Sequence, residues 1–488
     1  MTKSVENPAD LPPAAEAMTT GGDARIRIDP ATGLNKYHSA PRPSRILAYA
    51  SSTANDISAE AFGHAEQILS QVGPELSGPA YAGHLERLRK RLRSAYRIAD
   101  DVEIIFAPSG TDLEYVALAC AAGRGSGTHN ILLGADEVGT GCIHSAHGNY
   151  FAESTALGLA TEAGRPVPGL GGIQVDLVDI PVRDPQGRVN PSTHIADRMQ
   201  VSLEAADAAG QHSLIHVVHG SKTGLILPVA DDLDRLQRRH GAQSTLVVDA
   251  CQARITSDAV NAYLEREAIV FVTGSKFMGG PPFSGFAFIP PAVARKPAPL
   301  AEGLATIFRR GEWPHGWPGA ELLPDSGNLG LLLRLGASIF ELERFQRLSS
   351  EAVERVILAF HAAVRSEIIE PTPAHRLAPY PPGDREEADT HPIEMRTLST
   401  LDLSEFGGGA TFEDAQAWHK KLLGHGVRLG QPVKCVRLGD GSWGATLRVG
   451  LAMWQIVDRS GLTDEALARS FTDDMARIRE ALVTVAAE

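Results

Sequence analysis

The sequence has few cysteines, and they are widely separated. Cys120, Cys142, Cys251 and Cys435 form neither a CxxC zinc pattern nor the dense framework of a disulfide-rich secreted domain. This usage predicts a reducing, cytoplasmic compartment. The chain also lacks an uninterrupted apolar run of about 18 residues, and its first residues lack the apolar core of a signal peptide. We therefore expect neither export nor insertion into a membrane.

An excess of positive charge is also missing. The 46 lysines and arginines, set against 59 acidic residues, give a formal net charge of −13. That balance provides no general electrostatic surface for nucleic acid or an anionic membrane, and it favours a small-molecule substrate. With 488 residues, 43% of them hydrophobic, the chain can bury a large core and form two or three domains that share one active site.

The pattern of apolar and helical segments divides the chain into three parts. Residues 1–24, rich in Pro, Ala, Gly and acidic residues, are predicted to be a flexible tail. Residues 25–340, with an N-terminal segment over 25–60, are predicted to form a large α/β domain, because helical stretches alternate there with short apolar runs: EIIFA, NILLG, SLIHVVHG, STLVVDA and AIVFVTG. This alternation predicts a mostly parallel sheet covered by helices. Residues 341–488 are predicted to form a smaller α+β domain.

Two neighbouring strand ends carry the strongest chemical pattern. STLVVDACQA places Asp249 and Gln252 just past one predicted buried strand, and IVFVTGSKFMGG places Lys276 just past the next. Open α/β sheets bind ligands at the carboxyl ends of their strands. A lysine that ends an apolar strand and enters a Gly-rich loop is suited to forming an imine with a carbonyl cofactor.

Pyridoxal phosphate is a carbonyl cofactor whose needs match these residues. It requires a carboxylate against its ring nitrogen, because the protonated ring withdraws the electrons released when a substrate bond breaks. Asp249 suits that role, Gln252 can hydrogen-bond the phenolic oxygen, and the hydroxyls of Thr273 and Ser275 can reach the phosphate. Taken singly, Asp249 can be a strand-end cap and Lys276 a solvated loop charge. Their combination favours the cofactor.

An upstream turn offers a place for the phosphate. EIIFAPSGTDLEYVALA is predicted to form a strand, a Pro-Ser-Gly-Thr turn and a helix that begins near Thr111. Backbone N–H groups at a helix N-terminus favour an anion, and Gly110 allows its close approach. The same residues also fit a helix-capping box, formed by Ser109 with Asp112 or by Thr111 with Glu114.

Over roughly residues 45 to 470, the chain resembles the class V aminotransferase superfamily, which includes the cysteine desulfurases. The resemblance rests on the order SGTD, HGSKTG, DACQ, TGSK and a late strand bearing an arginine. It implies the aspartate aminotransferase-like fold of the PLP-dependent transferases, with a large, mostly parallel-sheet domain that binds pyridoxal 5′-phosphate and a smaller α+β C-terminal domain. It also implies a Schiff base on Lys276, and a homodimer with shared active sites.

The resemblance assigns roles residue by residue. It implies a cofactor site composed of Lys276, Asp249, Gln252, Gly110, Thr111, Thr273 and Ser275. Ser221 in HGSKTG stands where the family usually has an asparagine near the cofactor's oxygen. Lys222 beside it can be an ordinary loop charge.

Two further cofactor contacts of the family are altered in this chain. Where the family stacks an aromatic side chain on the cofactor ring, the aligned residue is Val138, and His144 or His147 can take over that contact. Asn328 in LLPDSGNLGLLL stands in place of a threonine on a loop that reaches the phosphate across the dimer interface. Asn328 can equally be an ordinary helix cap.

The C-terminal strands carry a substrate-binding candidate and a departure from the desulfurases. Arg448, 20 positions after Arg428, resembles the family arginine that pairs with a substrate carboxylate through its guanidinium fork; its alternative is a surface charge. A gapless comparison with one group of desulfurases places Val433 where their persulfide-forming cysteine lies. Cys435, two residues later, is displaced by roughly 6 to 7 Å along a strand, too far for attack on the substrate sulfur. We therefore expect no persulfide on Cys435.

These observations predict an enzyme that transforms an amino acid through an external aldimine, with Lys276 as the proton carrier. A class V aminotransferase is the first hypothesis, and a desulfurase-like C–S lyase or other lyase without a persulfide cysteine is the second. A third hypothesis is a cofactor-free pseudoenzyme that acts as a dimeric scaffold. The joint presence of Lys276, Asp249 and Gln252 argues against this scaffold.

Overall fold

A computed structural model describes residues 12–73, 75–139, 141–170, 175–379 and 396–488. Within these ranges the strands are β1 Leu47–Tyr49, β2 Glu103–Ala107, β3 Thr128–Leu133, β4 Val175–Ile180, β5 His212–His219, β6 Ile226–Leu227, β7 Ser244–Ala250, β8 Ile269–Thr273, β9 Gly285–Ile289, β10 His375–Leu377, β11 Leu398–Asp402, β12 Val427–Leu429 and β13 Thr446–Gly450. The α-helices are α1 Pro13–Met18, α2 Ala59–Val72, α3 Gly78–Tyr96, α4 Leu113–Ala121, α5 Cys142–Ser145, α6 Ser192–Ala208, α7 Ala230–His240, α8 Ser257–Glu265, α9 Pro291–Ala294, α10 Leu329–Phe345, α11 Ser350–Val364, α12 Phe412–Lys421, α13 Met453–Ser460 and α14 Asp464–Ala487. None of the helices in the described ranges is both long and apolar enough to cross a membrane.

The central sheet has the strand order β2-β9-β8-β7-β5-β3-β4, with the short β6 paired to β5. Strands β8, β7, β5, β3 and β4 are parallel, whereas β9 runs antiparallel to both β2 and β8. The mostly parallel sheet predicted from the alternation is confirmed, and its five apolar runs are β2, β3, β5, β7 and β8. Strands β4 and β9 were missing from that prediction.

Alternate side chains of the central strands enter two different apolar layers. In β2, Ile104 and Phe106 pack into one layer while Ile105 and Ala107 pack into the other. Successive side chains of a strand point to opposite faces, so a sheet covered on both sides buries both faces of its strands, which are largely apolar. This is why β5, with the sequence HSLIHVVH, is buried along its whole length.

The C-terminal part contains a second sheet with the order β10-β11-β13, which is antiparallel. Helices α12 and α14 accompany it, as the α+β pattern predicts. β1, which belongs to the predicted N-terminal segment 25–60, pairs in parallel with β12 and so connects that segment to the C-terminal part. Because α10 spans residue 340, the boundary between 25–340 and 341–488 stays a prediction.

The prediction of a flexible tail over residues 1–24 is wrong for residues 12–24. Helix α1 buries Ala14, Ala15 and Met18, and the fully buried Arg334 of α10 donates to the carbonyl oxygen of Met18 at 2.7 Å. The composition of the segment describes only its own small apolar surface. Composition could not reveal that α10 supplies both a surface against which this segment packs and a buried hydrogen-bond donor. Residues 1–11 lie outside the described residues.

Candidate active site

A cavity of about 170 Å³ lies where the parallel strands of the central sheet end. Its walls come from the segments that follow β2, β3, β5, β7 and β8, together with residues from the N-terminal and C-terminal parts. The cavity brings together the sequence-predicted residues Gly110, Thr111, Ser221, Asp249, Gln252, Thr273, Ser275, Lys276 and Arg448. His144 and Asn328 do not line it.

Asp249 and Lys276 reach the cavity from the neighbouring parallel strands β7 and β8. Asp249 lies opposite Phe271 in the strand pairing, and Lys276 follows the end of β8 by three positions. The Asp249 carboxylate accepts a hydrogen bond from the backbone N–H of Cys251 at 2.8 Å. The carboxylate is therefore a strand-end cap that also faces the cavity, so the two interpretations of Asp249 are compatible.

A buried acid and a buried histidine lie near Asp249. Burial, together with Asp249, raises the pKa of Glu114 well above its ordinary value. His216 Nδ1 is 3.4 Å from Glu114 Oε2, and burial lowers the pKa of His216 to about 3. Burial therefore disfavours the charged form of both groups, because neither can recover its lost hydration in the interior.

The side chain of Gln252 is oriented by a buried arginine. Arg254 Nη1 donates to Gln252 Oε1 at 2.7 Å, which leaves the amide nitrogen of Gln252 as the donor; it contacts the Ser52 carbonyl oxygen at 3.2 Å. The same guanidinium donates to Ser51 Oγ at 2.7 Å and to Thr397 Oγ1 at 2.9 Å. Sequence reasoning missed Arg254, although it lies only two residues beyond the DACQ motif.

The TGSK loop is fixed by hydrogen bonds on both sides. Thr273 Oγ1 donates to the Cys251 carbonyl oxygen at 2.7 Å, and Ser275 Oγ donates to Thr273 Oγ1 at 3.1 Å. The amide of Asn55 donates to the backbone carbonyl of Lys276. The backbone that carries Lys276 is therefore held while its amine stays on the cavity wall. Asn55 belongs to the N-terminal segment and was not identified from the sequence.

The Ser-Gly-Thr turn lies between β2 and α4, as predicted, and lines the cavity. A Cβ added to Gly110 would approach Thr273 Cγ2 to 2.8 Å, so the turn packs closely against the TGSK loop. Ser109 Oγ accepts from the backbone N–H of Asp112 at 3.4 Å, which is half of the predicted capping box, and donates to Asp112 Oδ2 at 2.6 Å. Burial raises the pKa of Asp112 to about 7.

Arg448 lines the cavity from the second sheet. Its Nε donates to the Gln431 carbonyl oxygen at 2.9 Å and its Nη1 to the Lys222 carbonyl oxygen at 3.0 Å. Burial lowers the pKa of Arg448 to about 10, so it remains a cation at neutral pH. Arg428, in contrast, forms an ion pair with Asp56 at 2.8 Å and is not among the residues that line the cavity. The surface-charge interpretation of Arg448 is wrong, since the residue is only 3% exposed.

The chain is similar in structure to several solved enzymes. The cysteine desulfurase CsdA from Escherichia coli aligns with a TM-score of 0.56 at 14% identity, over 90% of this chain and 95% of its own. The alanine–glyoxylate aminotransferase from Nostoc sp. aligns with a TM-score of 0.54 at 14% identity, over 91% and 96%. The ureidoglycine–glyoxylate aminotransferase from Bacillus subtilis aligns with a TM-score of 0.53 at 13% identity, over 91% and 93%.

The chain has the fold of the fold-type-I pyridoxal-phosphate enzymes. No family model matches the sequence, and no curated protein is similar to it in sequence. At identities this low the similarity establishes the fold and leaves the chemistry to the residues of the cavity. The roles of those residues in this PLP-enzyme fold therefore remain predictions.

Ser221 lines the cavity, but its hydroxyl is engaged within the protein. It donates to Glu137 Oε2 at 2.7 Å and accepts from the backbone N–H of Leu225 at 3.2 Å. A hydroxyl has one proton to donate, so Ser221 can donate to a cofactor oxygen only by releasing Glu137. Glu137 is itself paired with Arg183 at 2.9 Å. This buried acid was not identified from the sequence.

Lys222 lies on the cavity wall, where the sequence suggested an ordinary loop charge. Its ammonium donates to the Asp136 carbonyl oxygen at 3.0 Å. Burial, with a contribution from the nearby Arg448, lowers the pKa of Lys222 to about 8. Lys222 therefore adds an amine to the cavity besides that of Lys276, and the pKa of Lys222 lies close to physiological pH.

Val138, which the resemblance aligns with an aromatic ring-stacking residue, lines the cavity. His144 and His147 are not cavity-lining residues, and the ring of His144 lies near Gly164 instead. Cys142 of α5 lines the cavity, and residues two positions apart on a helix face different directions. Because α5 faces the cavity with Cys142, His144 points away from the cavity and from the ring-stacking position predicted for it.

Asn328 is buried beneath the residues around Gly21, which precede the N-terminal segment 25–60. Its side chain accepts from the backbone N–H of Leu331 at 3.0 Å, which caps α10, and its amide nitrogen donates to the Gly21 carbonyl oxygen at 3.0 Å. The helix-cap interpretation is therefore confirmed. Residue 21 occupies the space above Asn328, since a Cβ on Gly21 would fall 1.8 Å from Asn328 Oδ1.

Two thiols lie on the cavity wall, and neither is Cys435. Cys142 and Cys251 are cavity residues, and burial raises the pKa of each above its ordinary value. Burial also raises the pKa of Cys435 to about 12. A sulfur nucleophile reacts as the thiolate, which a high pKa disfavours. All three sulfurs are therefore protonated at neutral pH.

The N-terminal part contributes cavity residues that sequence reasoning missed. They are Arg25, Tyr37, Ser52 and Thr53. Ser52 and Thr53 lie just past β1, which is too short and too isolated in the sequence to predict. Arg25 follows two adjacent glycines in the GGDAR sequence, the feature that could have indicated a close backbone approach.

Proposed function

We propose that this chain is a pyridoxal-phosphate-dependent enzyme that transforms an amino acid and is of the class V aminotransferase type. The proposal rests on one observation: an amine, a carboxylate, an amide and an anion-binding turn, which come from three separate segments of the sequence, line one cavity. Lys276, Asp249 and Gln252 line this cavity, where neighbouring groups hold the Lys276 backbone, the Asp249 carboxylate and Gln252 Oε1. A scaffold protein has no need of this combination.

The residues fit the cofactor in both charge and chemistry. Pyridoxal phosphate, when bound, supplies an aldehyde that bonds to amines and a ring that withdraws electrons from them. Lys276 Nζ would hold the cofactor covalently, and Asp249 would keep its ring nitrogen protonated. Gln252 would donate to the phenolic oxygen through the amide nitrogen that Arg254 leaves available. The Gly110–Thr111 turn would accept the phosphate.

The substrate would be recognised through its carboxylate. Arg448 would bind that group, because its guanidinium is held by backbone carbonyls and remains charged. Lys276, once free as an amine, would move a proton at the substrate Cα. Transfer of the amino group is our first hypothesis. A desulfurase-like C–S lyase or other lyase without a persulfide cysteine is the second, and the protonated thiols of Cys251 and Cys435 support the absence of a persulfide.

Other features are proposed on the resemblance. They are a homodimer with shared active sites and a cytoplasmic location. Asn328, the residue expected to reach across the interface, is covered by residues of its own chain. If the homodimer forms, its contribution to the phosphate site would therefore have to come from other residues.

The test is Lys276→Ala, compared with wild type and with Lys296→Ala, an exposed lysine outside the cavity. We expect Lys276→Ala to lose the covalent cofactor linkage that borohydride traps, and to lose turnover by about a thousandfold or more. Lys296→Ala should keep both. Turnover is measured on a panel of amino acids by cofactor absorbance and product mass.

Product identity then separates the two reactions. A keto acid identifies transamination, and an eliminated fragment identifies a lyase. The absence of any cofactor band in wild-type protein supplied with pyridoxal phosphate would refute the proposed function. Full activity in Lys276→Ala would refute the assigned lysine.

A further inference from the structure

Residues 18–22 are hydrogen-bonded to α10 and pack against the loop before β9. Arg334, buried in α10, donates to the carbonyl oxygens of Thr20 at 2.6 Å and Gly21 at 3.0 Å. Its Nε donates to the carbonyl oxygen of Phe283 at 2.7 Å, so one guanidinium joins the segment to the cavity wall. A Cβ on Gly22 would lie 2.9 Å from the Phe283 ring, which shows how closely the segment passes.

This anchoring directs the side chain of Arg25 into the cavity. The Asp23 carboxylate accepts from the backbone N–H of Arg25 at 2.9 Å and pairs with its Nη2 at 2.6 Å. The guanidinium carbon lies 4.9 Å from the ring centres of both Phe151 and Phe283. Because the two rings already hold this arginine in place, it loses little further conformational freedom when it binds a ligand.

The clamped guanidinium lies at the Ser-Gly-Thr turn. Arg25 Nη2 is 3.4 Å from Ser109 Oγ, and Arg25, Ser109, Gly110 and Thr111 line the same cavity. Asp23 occupies the Nε–Nη2 edge, which leaves Nη1 outside that ion pair. The turn and the start of α4 supply N–H donors, and Arg25 adds a guanidinium beside them whose charge is offset in part by the paired Asp23.

We propose that Arg25 is the cationic ligand of the cofactor phosphate, supplied by the N-terminal segment of the same chain. This inference rests on the proposed function. The other cations of the cavity have different positions: Lys276 follows β8, and Lys222 and Arg448 contact each other. Asn328 is engaged by Gly21, which lies four positions before Arg25. Residues 18–25 therefore cover Asn328 and provide Arg25 instead.

The experiment compares pyridoxal phosphate with pyridoxal, which has the same ring and aldehyde but no phosphate. Dissociation constants of both compounds for the apoprotein are measured by absorbance for wild type, Arg25→Gln, Arg25→Lys and Arg27→Gln. Arg27 is an exposed arginine of the same segment. We expect Arg25→Gln to weaken pyridoxal phosphate binding about tenfold or more, since a charge-assisted hydrogen bond is lost, while pyridoxal binding changes less than about twofold.

The controls separate a phosphate contact from a structural role. Arg25→Lys should recover part of the affinity for pyridoxal phosphate, and Arg27→Gln should bind both compounds like wild type. Inorganic phosphate should compete less well with pyridoxal phosphate in Arg25→Gln. Equal weakening of both compounds, or no weakening of either, would overturn the proposal. If the wild-type apoprotein bound neither compound, the proposed function itself would fail.

Discussion

At the residue scale, the cavity depends on pairs in which one side chain faces the cavity and another holds it. Gln252 is oriented by Arg254, and the backbone of Lys276 is held by Asn55. The first member of each pair lies in a recognisable motif. The second member looks like an ordinary polar residue in the sequence, because its partner is set by the fold and not by its neighbours in the chain.

A residue-scale prediction concerns Cys435. We expect Cys435→Ser to change turnover of amino acids by no more than a few fold, because the thiol is outside the cavity wall and burial raises its pKa to about 12. The measurement is the turnover rate, with the mass of the Cys435 peptide recorded after incubation with cysteine. A persulfide on this peptide in wild type, together with loss of sulfide release in Cys435→Ser, would restore sulfur transfer as the leading function.

At the element scale, the start of α4 combines an anion-binding turn with an ionisable acid. Asp112 lies directly before α4 and its hydrogen-bond partner Ser109 lies in the turn. Because burial raises the pKa of Asp112 to about 7, the carboxyl group is neutral below that pH and negative above it. The charge of the turn therefore changes in the physiological range.

We expect the affinity for pyridoxal phosphate to fall as pH rises from about 6 to about 8, since ionised Asp112 repels the phosphate. Asp112→Asn should remove that part of the dependence, and the exposed Asp258→Asn should retain it. Dissociation constants of the three proteins are compared across this range. The ionisation of the phosphate itself is common to all three, so the difference between them isolates Asp112. Parallel curves for wild type and Asp112→Asn would contradict this role.

At the scale of the whole molecule, contacts distant in sequence join the two ends of the chain. β1 pairs with β12, and the buried Arg254 connects Ser51 of the N-terminal part, Gln252 of the central sheet and Thr397 of the C-terminal part. The guanidinium makes these three hydrogen bonds from three different nitrogens, whereas the three donors of an ammonium share one nitrogen.

Arg254→Lys should therefore destabilise the protein by about 1–3 kcal/mol, because a lysine keeps the charge and cannot reproduce the three hydrogen bonds. The matched control is Arg97→Lys, in the exposed ion pair with Asp258, where we expect a change within about 0.5 kcal/mol. The midpoint of denaturant unfolding measures both. Equal shifts in the two variants would show that Arg254 does not join these parts.

Much of the sheet and the central cavity residues could be predicted from local pattern. The five apolar runs are strands that are buried on both faces, and their largely apolar sequences indicate that burial directly. Strand ends that carry Asp249 and Lys276 meet because parallel neighbours end at one edge. Strand β9, with the sequence GFAFI, is an equally apolar and buried run that local pattern could have indicated; its antiparallel direction and its place between β2 and β8 are set by the whole sheet.

The sequence by itself determined the parallel sheet, the DACQ and TGSK strand ends and the anion-binding turn, because each depends on residues that are adjacent in the chain. The tertiary structure decided which distant residues complete the cavity. It brought Arg25 to the turn, covered Asn328 and rotated His144 away. These outcomes depend on where segments come to lie against α10 and α5. Long-range packing of that kind is set by complementary surfaces and not by local composition.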